Sequence, residues 1–265
     1  NTTEALNLVA SGIDWDPGDE VIISSLEHQS NIIPWMRLVD ERGILVTILP
    51  VGPERVIDVY TLEHHLSERT RLLAVTHVSN VFGSIQPVSQ IGALARSRGI
   101  LYLVDAAQSA GRIPIDVNEI QCDFMAFCGR KSLMGPQGTG FLYGTHDQLE
   151  RLRPLQVGSL AANVVDGLSF EFLPTPYRFE AGVLNTSGVL GLAAAVSYID
   201  EIGLSTIHSR LQHLSRLLTS ELDNIPELEL YGPEDMEAQA GIVAWNLPGM
   251  DPHHVARKLD QMANV

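Results

Sequence analysis

The sequence predicts an α/β fold: a three-layer sandwich with a mostly parallel sheet between helices, plus the start of a small C-terminal α/β domain. Two observations carry this. Six short apolar runs, Glu20–Ser24, Ile44–Leu49, Arg71–Thr76, Ile100–Val104, Asp123–Phe127 and Gly140–Tyr143, read as strands buried on both faces. Helical stretches such as Ile32–Glu41 and Val88–Ser97 lie between many of them. A helix between two strands is the crossover that parallel pairing requires.

Each element follows from local cues. Ala5–Ala10 is helix-like, and the polar run Asn1-Thr2-Thr3-Glu4 stands where a helix start needs hydroxyls and amides. Gly99 closes the helix Val88–Ser97. Beyond Gly158 the chain is polar and irregular up to Gly182. Two helical runs follow, Ser187–Ile202 and Leu204–Leu222, closed by Pro226 and the turn Tyr231-Gly232-Pro233. Gly241–Leu247 reads as a new strand and Pro252–Met262 as a helix. The division expected is residues 1–185 as a large domain, 186–240 as connecting helices and 241–265 as the beginning of a small domain.

Composition narrows the function. With 265 residues, 45% hydrophobic, the chain can bury a substantial core. A net charge of -15 argues against nucleic acid and against anionic lipid, since both need a basic face. No apolar run approaches a membrane span and no signal peptide stands at the start. Cys122 and Cys128 make neither a disulfide framework nor a spaced zinc site, so no metal is expected and a reducing cytoplasm is. The chain starts at Asn1 without Met, which reads as a missing native N-terminus.

In a parallel sheet, ligands bind beyond the carboxyl ends of the strands. There are only two lysines, Lys131 and Lys258. Lys131 sits in the Gly-rich run Gly129–Gly140 (GRKSLMGPQGTG) after a predicted strand, where its amine could form an imine with an aldehyde. A surface-loop lysine is the plainer reading of that residue alone. Asp105 follows the run Ile100–Val104, where a carboxylate is costly unless a positive charge or a solvated site receives it. It could equally cap the next segment. Thr2 and Thr3 could hold a phosphate at a helix N-terminus, or merely cap it. His28, in Glu27-His28-Gln29-Ser30-Asn31, could stack on an aromatic ring or move protons. Asn80, in His77-Val78-Ser79-Asn80, could donate to a ligand oxygen or serve as a turn residue. Four strand ends thus carry polar clusters, and a fifth leads to the lysine.

Six segments occur in the order of a known family: Asn1–Asn7 (NTTEALN), Glu27–Trp35 (EHQSNIIPW), Thr76–Gly83 (THVSNVFG), Val104–Ser109 (VDAAQS), Gly129–Gly140 and Arg178–Thr186 (RFEAGVLNT). On these the chain resembles the fold-type I pyridoxal-5′-phosphate (PLP) enzymes of the class V aminotransferase superfamily. Within that superfamily it resembles the SufS/NifS-like cysteine desulfurases in particular. The resemblance implies a PLP-dependent transferase-like large domain over residues 1–185. Lys131 would hold the cofactor covalently and shuttle protons. Asp105 would pair with the pyridine nitrogen and Gln108 with the ring hydroxyl oxygen. His28 would stack on the ring and act as acid or base. Thr3, with Thr2 beside it, would bind the phosphate, and Asn80 would contact cofactor or substrate. The implied reaction takes L-cysteine to L-alanine with sulfur passing to an enzyme persulfide, in service of sulfur metabolism such as iron–sulfur cluster assembly. A homodimer, with loops near Gly158 and Gly182 approaching the neighbouring site, and a sulfur-acceptor protein are implied as partners.

Three positions depart from the family pattern. Arg130 replaces the His before the lysine, Cys128 replaces a Ser or Thr, and Val183 replaces a phosphate-binding Thr. Arg130 can still neutralise phosphate, and bidentately. The family's sulfur-accepting Cys and its substrate-carboxylate Arg fall beyond Val265, so the chain reads as part of a longer protein. Close rivals share the fold and lysine: cysteine C–S lyase, selenocysteine lyase, epimerase or aminotransferase. A non-catalytic relative is a third reading.

Overall fold

The structure, a computed structural model, describes residues 1–264. The strands β1 (Glu20–Ser24), β2 (Leu45–Leu49), β3 (Thr70–Thr76), β4 (Leu101–Asp105), β5 (Phe124–Cys128) and β6 (Gly140–Gly144) form one sheet in the order β2-β1-β3-β4-β5-β6. The first five run parallel, and β6 closes the edge antiparallel to β5. The mostly parallel sheet is therefore present, and the reversal at β6 follows from the tight return of the Lys131 loop, which leaves no room for a crossover helix.

Alternation along the central strands builds two cores. Val21, Ile23, Leu72, Ala74, Leu103 and Phe124 face the helices α1 (Thr2–Gly12) and α2 (Ile33–Arg42), packing on Leu6, Val9, Trp35 and Leu38. Ile22, Leu73, Val75, Tyr102, Val104 and Met125 face the other way. There they meet Leu62 of α3 (Val59–His65), Ile91 and Ala95 of α4 (Val88–Arg98) and Ile120 of α5 (Val117–Ile120). Each fully buried Leu, Ile or Phe contributes about 1.5–3 kcal/mol relative to exposure. These two faces are what hold the sheet rigid beneath the site. α2 and α4 stop at Gly43 and Gly99, whose φ of 69° and 67° suits a residue without Cβ.

After α6 (His146–Arg151) the segment that reads as irregular in sequence contains a hairpin, β7 (Ala162–Asp166) with β8 (Ser169–Phe172). All but Ala162 of its residues are exposed, so there is no inside–outside alternation to read. α7 (Thr186–Ile202) and α8 (Leu204–Leu222) follow. β9 (Glu229–Tyr231) and β10 (Ala244–Asn246) pair antiparallel, and α9 (Pro252–Ala263) comes last. The strand expected over Gly241–Leu247 is confined to β10, the length that β9 can pair. Among the described residues no single helix is long and apolar enough to cross a membrane.

The two-sided burial makes a stability prediction. Leu103→Ala should cost about 2–5 kcal/mol in urea unfolding, as expected for a buried Leu that leaves a cavity. Leu45→Ala, at a 41% exposed position on the edge strand β2, should cost well under about 1 kcal/mol.

Candidate active site

A cleft of about 470 Å³ opens at the carboxyl end of the sheet. Thr2 and Thr3 from α1, His28 after β1, Asn80 after β3, Asp105 at the end of β4 and Gln108 after it all line it; so do Arg130 and Lys131 after β5. The eight residues named from sequence thus converge on one volume within the range of small-molecule sites. Ser30, Thr76 and Thr139 also line it. These were missed by sequence reasoning, although Ser30 lies inside the Glu27–Asn31 cluster. The same residue types fill turns throughout the chain, so their identity alone gave no signal.

Asp105 ends β4 and is 3% exposed. Its Oδ1 accepts the Ala107 N–H at 2.8 Å, a local turn bond that a capping residue would also make. Burial raises its carboxyl above the ordinary aspartate range. The Ala107 N–H and the charges of Lys131 and His28 oppose that rise. Lysine and acid therefore share one electrostatic environment as well as one cleft.

Lys131 is presented by a loop that ties itself shut. The Gly129 N–H donates to the Thr139 carbonyl at 2.9 Å and Gly135 N–H to the Gly129 carbonyl at 2.8 Å. Met134 N–H returns to the Lys131 carbonyl at 2.9 Å. A Cβ on Gly129 would lie 2.1 Å from Thr139 Oγ1 and 3.0 Å from Leu192 of α7, so only glycine lets the loop fold this tightly. Arg112 braces the same loop, with Nε on Ser132 Oγ at 2.7 Å and one terminal nitrogen on the Ala240 carbonyl at 3.2 Å.

The same cleft suits an anion where α1 begins. Asn1 caps α1 by accepting the Glu4 N–H at 3.0 Å, so the helix begins at Thr2 rather than after Glu4. Thr2 and Thr3 thus lie in the first turn, where backbone N–H groups and the helix dipole favour negative charge. Thr2 Oγ1 is enclosed and has no hydrogen-bond partner, while Thr3 Oγ1 meets Ser30 Oγ at 2.8 Å. Among the described residues neither Arg130 nor Lys131 forms an ion pair. His28 accepts the Ser30 N–H on Nδ1 at 3.1 Å, which leaves the proton of the neutral ring on Nε2.

Val183 is 97% exposed and does not line the cleft, whereas Cys128 is buried and does. A second cleft of about 410 Å³ opens beside Tyr102, Cys122 and Asp123, where burial pushes the Cys122 thiol up to about 12. It has no lysine, and none of the enclosed polar side-chain atoms without a partner lies there.

The aminotransferase class-V family matches residues 1–265. The chain belongs to the class-V aminotransferase family. It is 41% identical over 265 residues to a probable cysteine desulfurase of Methanothermobacter thermautotrophicus, covering all of this chain and 66% of that one. The apo structure of cysteine desulfurase from Thermococcus onnurineus NA1 superposes with a TM-score of 0.94 at 37% identity, over 98% of this chain and 65% of that one. The cystine C–S lyase C-DES, in complex with cysteine persulfide, gives a TM-score of 0.90 at 27% identity, over 98% and 70%. The first listed curated relatives are thus longer, with this chain spanning 64–66% of their length. The expected fold is that of these class-V structures.

His77 directs its ring away from the cleft that Asn80 lines, and its Nδ1 is enclosed without a partner. Burial pushes its pKa down to about 4 from 6.5. The unfolded chain then binds more protons between those values, so stability contributed by the neutral ring is lost as pH falls from 6.5 through 4. The Glu27 carboxyl, raised to about 7, acts in the opposite sense over nearly the same range, so the His77 contribution is read as a difference. Relative to wild type, the urea midpoint of His77→Asn should fall less, or rise more, as pH drops from 6.5 to 4.

Proposed function

We propose that the protein to which this chain belongs is a PLP-dependent cysteine desulfurase that converts L-cysteine to L-alanine and passes sulfur to an enzyme thiol. The observation that carries this reading is a lysine and a buried carboxylate on one cleft that also offers a helix N-terminus, an unpartnered hydroxyl and a free guanidinium. The names of the relatives support it. A C-DES mutant with glycine covalently linked to its PLP cofactor supports the cofactor.

The residues fit PLP. Lys131 would hold it, Asp105 would face the ring nitrogen, Gln108 the ring hydroxyl, and Thr2, Thr3 and Arg130 the phosphate. His28 would stack on the ring, and Asn80 would touch cofactor or substrate carboxylate. When bound, the cofactor supplies an electron sink for the carbon next to the substrate amine. Asp105, shielded from water, would keep a ring-nitrogen partner charged, and preorganised charge of this kind is commonly the largest catalytic contribution. Lys131 would take the Cα proton, and His28 would pass a proton to or from the substrate. In balance, a thiolate would take the substrate sulfur as the C–S bond breaks, leaving a persulfide, and one proton delivered to Cβ and one returned to Cα would complete alanine.

Cys122 and Cys128 do not suit the thiolate role. The first lies outside the cleft with a thiol at about 12, and the second is buried beside the proposed phosphate position. The accepting thiol would therefore come from another part of the longer protein. A homodimer belongs to this reading, because Val164, Leu168, Phe170, Val183 and Leu190 expose apolar surface around the hairpin and the start of α7. A sulfur-acceptor protein, and a cytoplasmic setting suited to two free thiols, complete it.

C–S lyase is the second reading, favoured by the likeness to C-DES. In the full-length protein given PLP and L-cysteine, alanine with persulfide or sulfide is the expected product; pyruvate in its place would select the lyase. Borohydride should fix the cofactor on wild type but not on Lys131→Ala. Asp105→Ala should lose roughly 10²–10⁴-fold in kcat, the scale of a lost acid–base or charge contribution. A wild-type protein that stays colourless with PLP overturns the proposal.

A further inference from the structure

Glu27 adjoins the proposed machinery without lining the cleft, and its hydrogen bonds are directional. Oε1 accepts Ser24 Oγ–H at 2.5 Å and Thr76 N–H at 3.0 Å. Oε2 accepts Asn31 Nδ2–H at 2.7 Å. The buried Trp35 ring N–H can only donate, and it donates to Asn31 Oδ1 at 3.1 Å. Asn31 must therefore turn its amide nitrogen to Glu27, with a second bond to the Ala74 carbonyl at 3.2 Å. Position 27 is required to accept on both sides. One carboxylate thus ties the end of β1, the end of β3 and the short turn 28–31 together. That turn carries His28, whose carbonyl accepts the Asn31 N–H at 2.7 Å and whose Nδ1 accepts the Ser30 N–H. Thr76, the residue held on the β3 side, is in register with Asp105 on β4.

We propose that Glu27 is a positioning residue that fixes His28 over the cleft and sets the end of β3 against Asp105. The inference rests on the cysteine desulfurase reading for its kinetic consequence, but its geometric claim stands apart from it. Burial pushes the Glu27 carboxyl up to about 7 despite its three donors, with Asp105 adding to the rise and Tyr102 also in its field. The site thus withholds solvation from the acid that organises it.

The matched control lies at the opposite end of the same strand. Glu20 is likewise buried and accepts three hydroxyls, Thr47 at 2.6 Å, Thr70 at 2.7 Å and Ser67 at 3.0 Å, far from the cleft. In the full-length enzyme, Glu27→Gln sets its new amide against the Asn31 amide or the Thr76 N–H. kcat for L-cysteine should fall at least about tenfold with KM within threefold, since displacing a reacting group by about 1 Å can cost 10²-fold. The double variant Glu27→Gln with Asn31→Asp restores a donor facing an acceptor at position 27 but sets a carboxylate oxygen at position 31 against the Ala74 carbonyl, so it should recover part of kcat. Glu20→Gln should lower the thermal midpoint and leave kcat within threefold. A crystal structure of cofactor-free Glu27→Gln should show the 28–31 turn displaced from its wild-type place, because a donor then faces the Asn31 amide or the Thr76 N–H. A turn in its wild-type place overturns the proposal whatever the enzyme catalyses. So does a kcat loss that merely tracks lost thermal stability and is not recovered by the double variant. A wild type inert toward cysteine defeats the functional reading alone, because the crystal structure still decides the role of Glu27.

Discussion

Two carboxylates, Glu27 and Asp105, are buried at the carboxyl ends of strands in one sheet, and the site is built around their cost. Water cannot solvate them there, and an isolated ionised carboxylate in such a medium is expensive. Glu27 is answered by three donors, Asp105 by one backbone N–H and the fields of Lys131 and His28. A parallel sheet makes this convergence possible, since β1, β3, β4 and β5 all end on the same edge. An acid left with one donor beside a lysine is an unfinished ion pair. A positively charged ring nitrogen is the chemistry that would finish it.

The lysine depends on an equally narrow constraint. Gly129 has no space for a side chain, and Leu192 of α7 fills the volume behind both Gly129 and Gly135. The first helix beyond residue 185 is therefore a wall of the lysine loop. Arg112 joins the same loop to Ala240 in the segment before β10. The position of one amine consequently depends on contacts spread from residue 112 to residue 240.

Much of this was legible in sequence, for physical reasons. The central strands β1, β3, β4 and β5 are continuous apolar runs because the sheet is covered on both faces there. The edge strands β2 and β6 are partly exposed but apolar enough to be read, and all six were found to within one or two residues. Gly99 marked the end of its helix because a left-handed residue was needed there. Polar groups at strand ends, such as Asp105 and Lys131, were conspicuous because the sequence before them is apolar. The hairpin β7–β8 was not legible, because a strand exposed on both faces has no alternation. The start of α1 was placed too late because Asn1 rather than a threonine is its cap. Ser30 and Thr139 were missed because hydroxyls in loops serve turns as often as ligands. Glu27 was seen as part of a cluster, but its role depends on Trp35 and Asn31 lying beneath it, which no spacing reveals.

Glu20 and Glu27 show how one strand serves two ends. Both are buried and both accept three hydrogen bonds, yet the Glu20 carboxyl lies below its ordinary range and Glu27 is raised to about 7. Burial pulls both upward; at Glu20 the Thr47, Thr70 and Ser67 hydroxyls, with Arg69 nearby, outweigh it. Glu27 is more deeply enclosed and has Asp105 as a neighbour instead of an arginine. The amino end of β1 thus relieves its acid fully, while the carboxyl end leaves its acid only partly relieved. Incomplete compensation of this kind is tolerated where the fold around it is already fixed, and here the two apolar cores on either side of the sheet fix it.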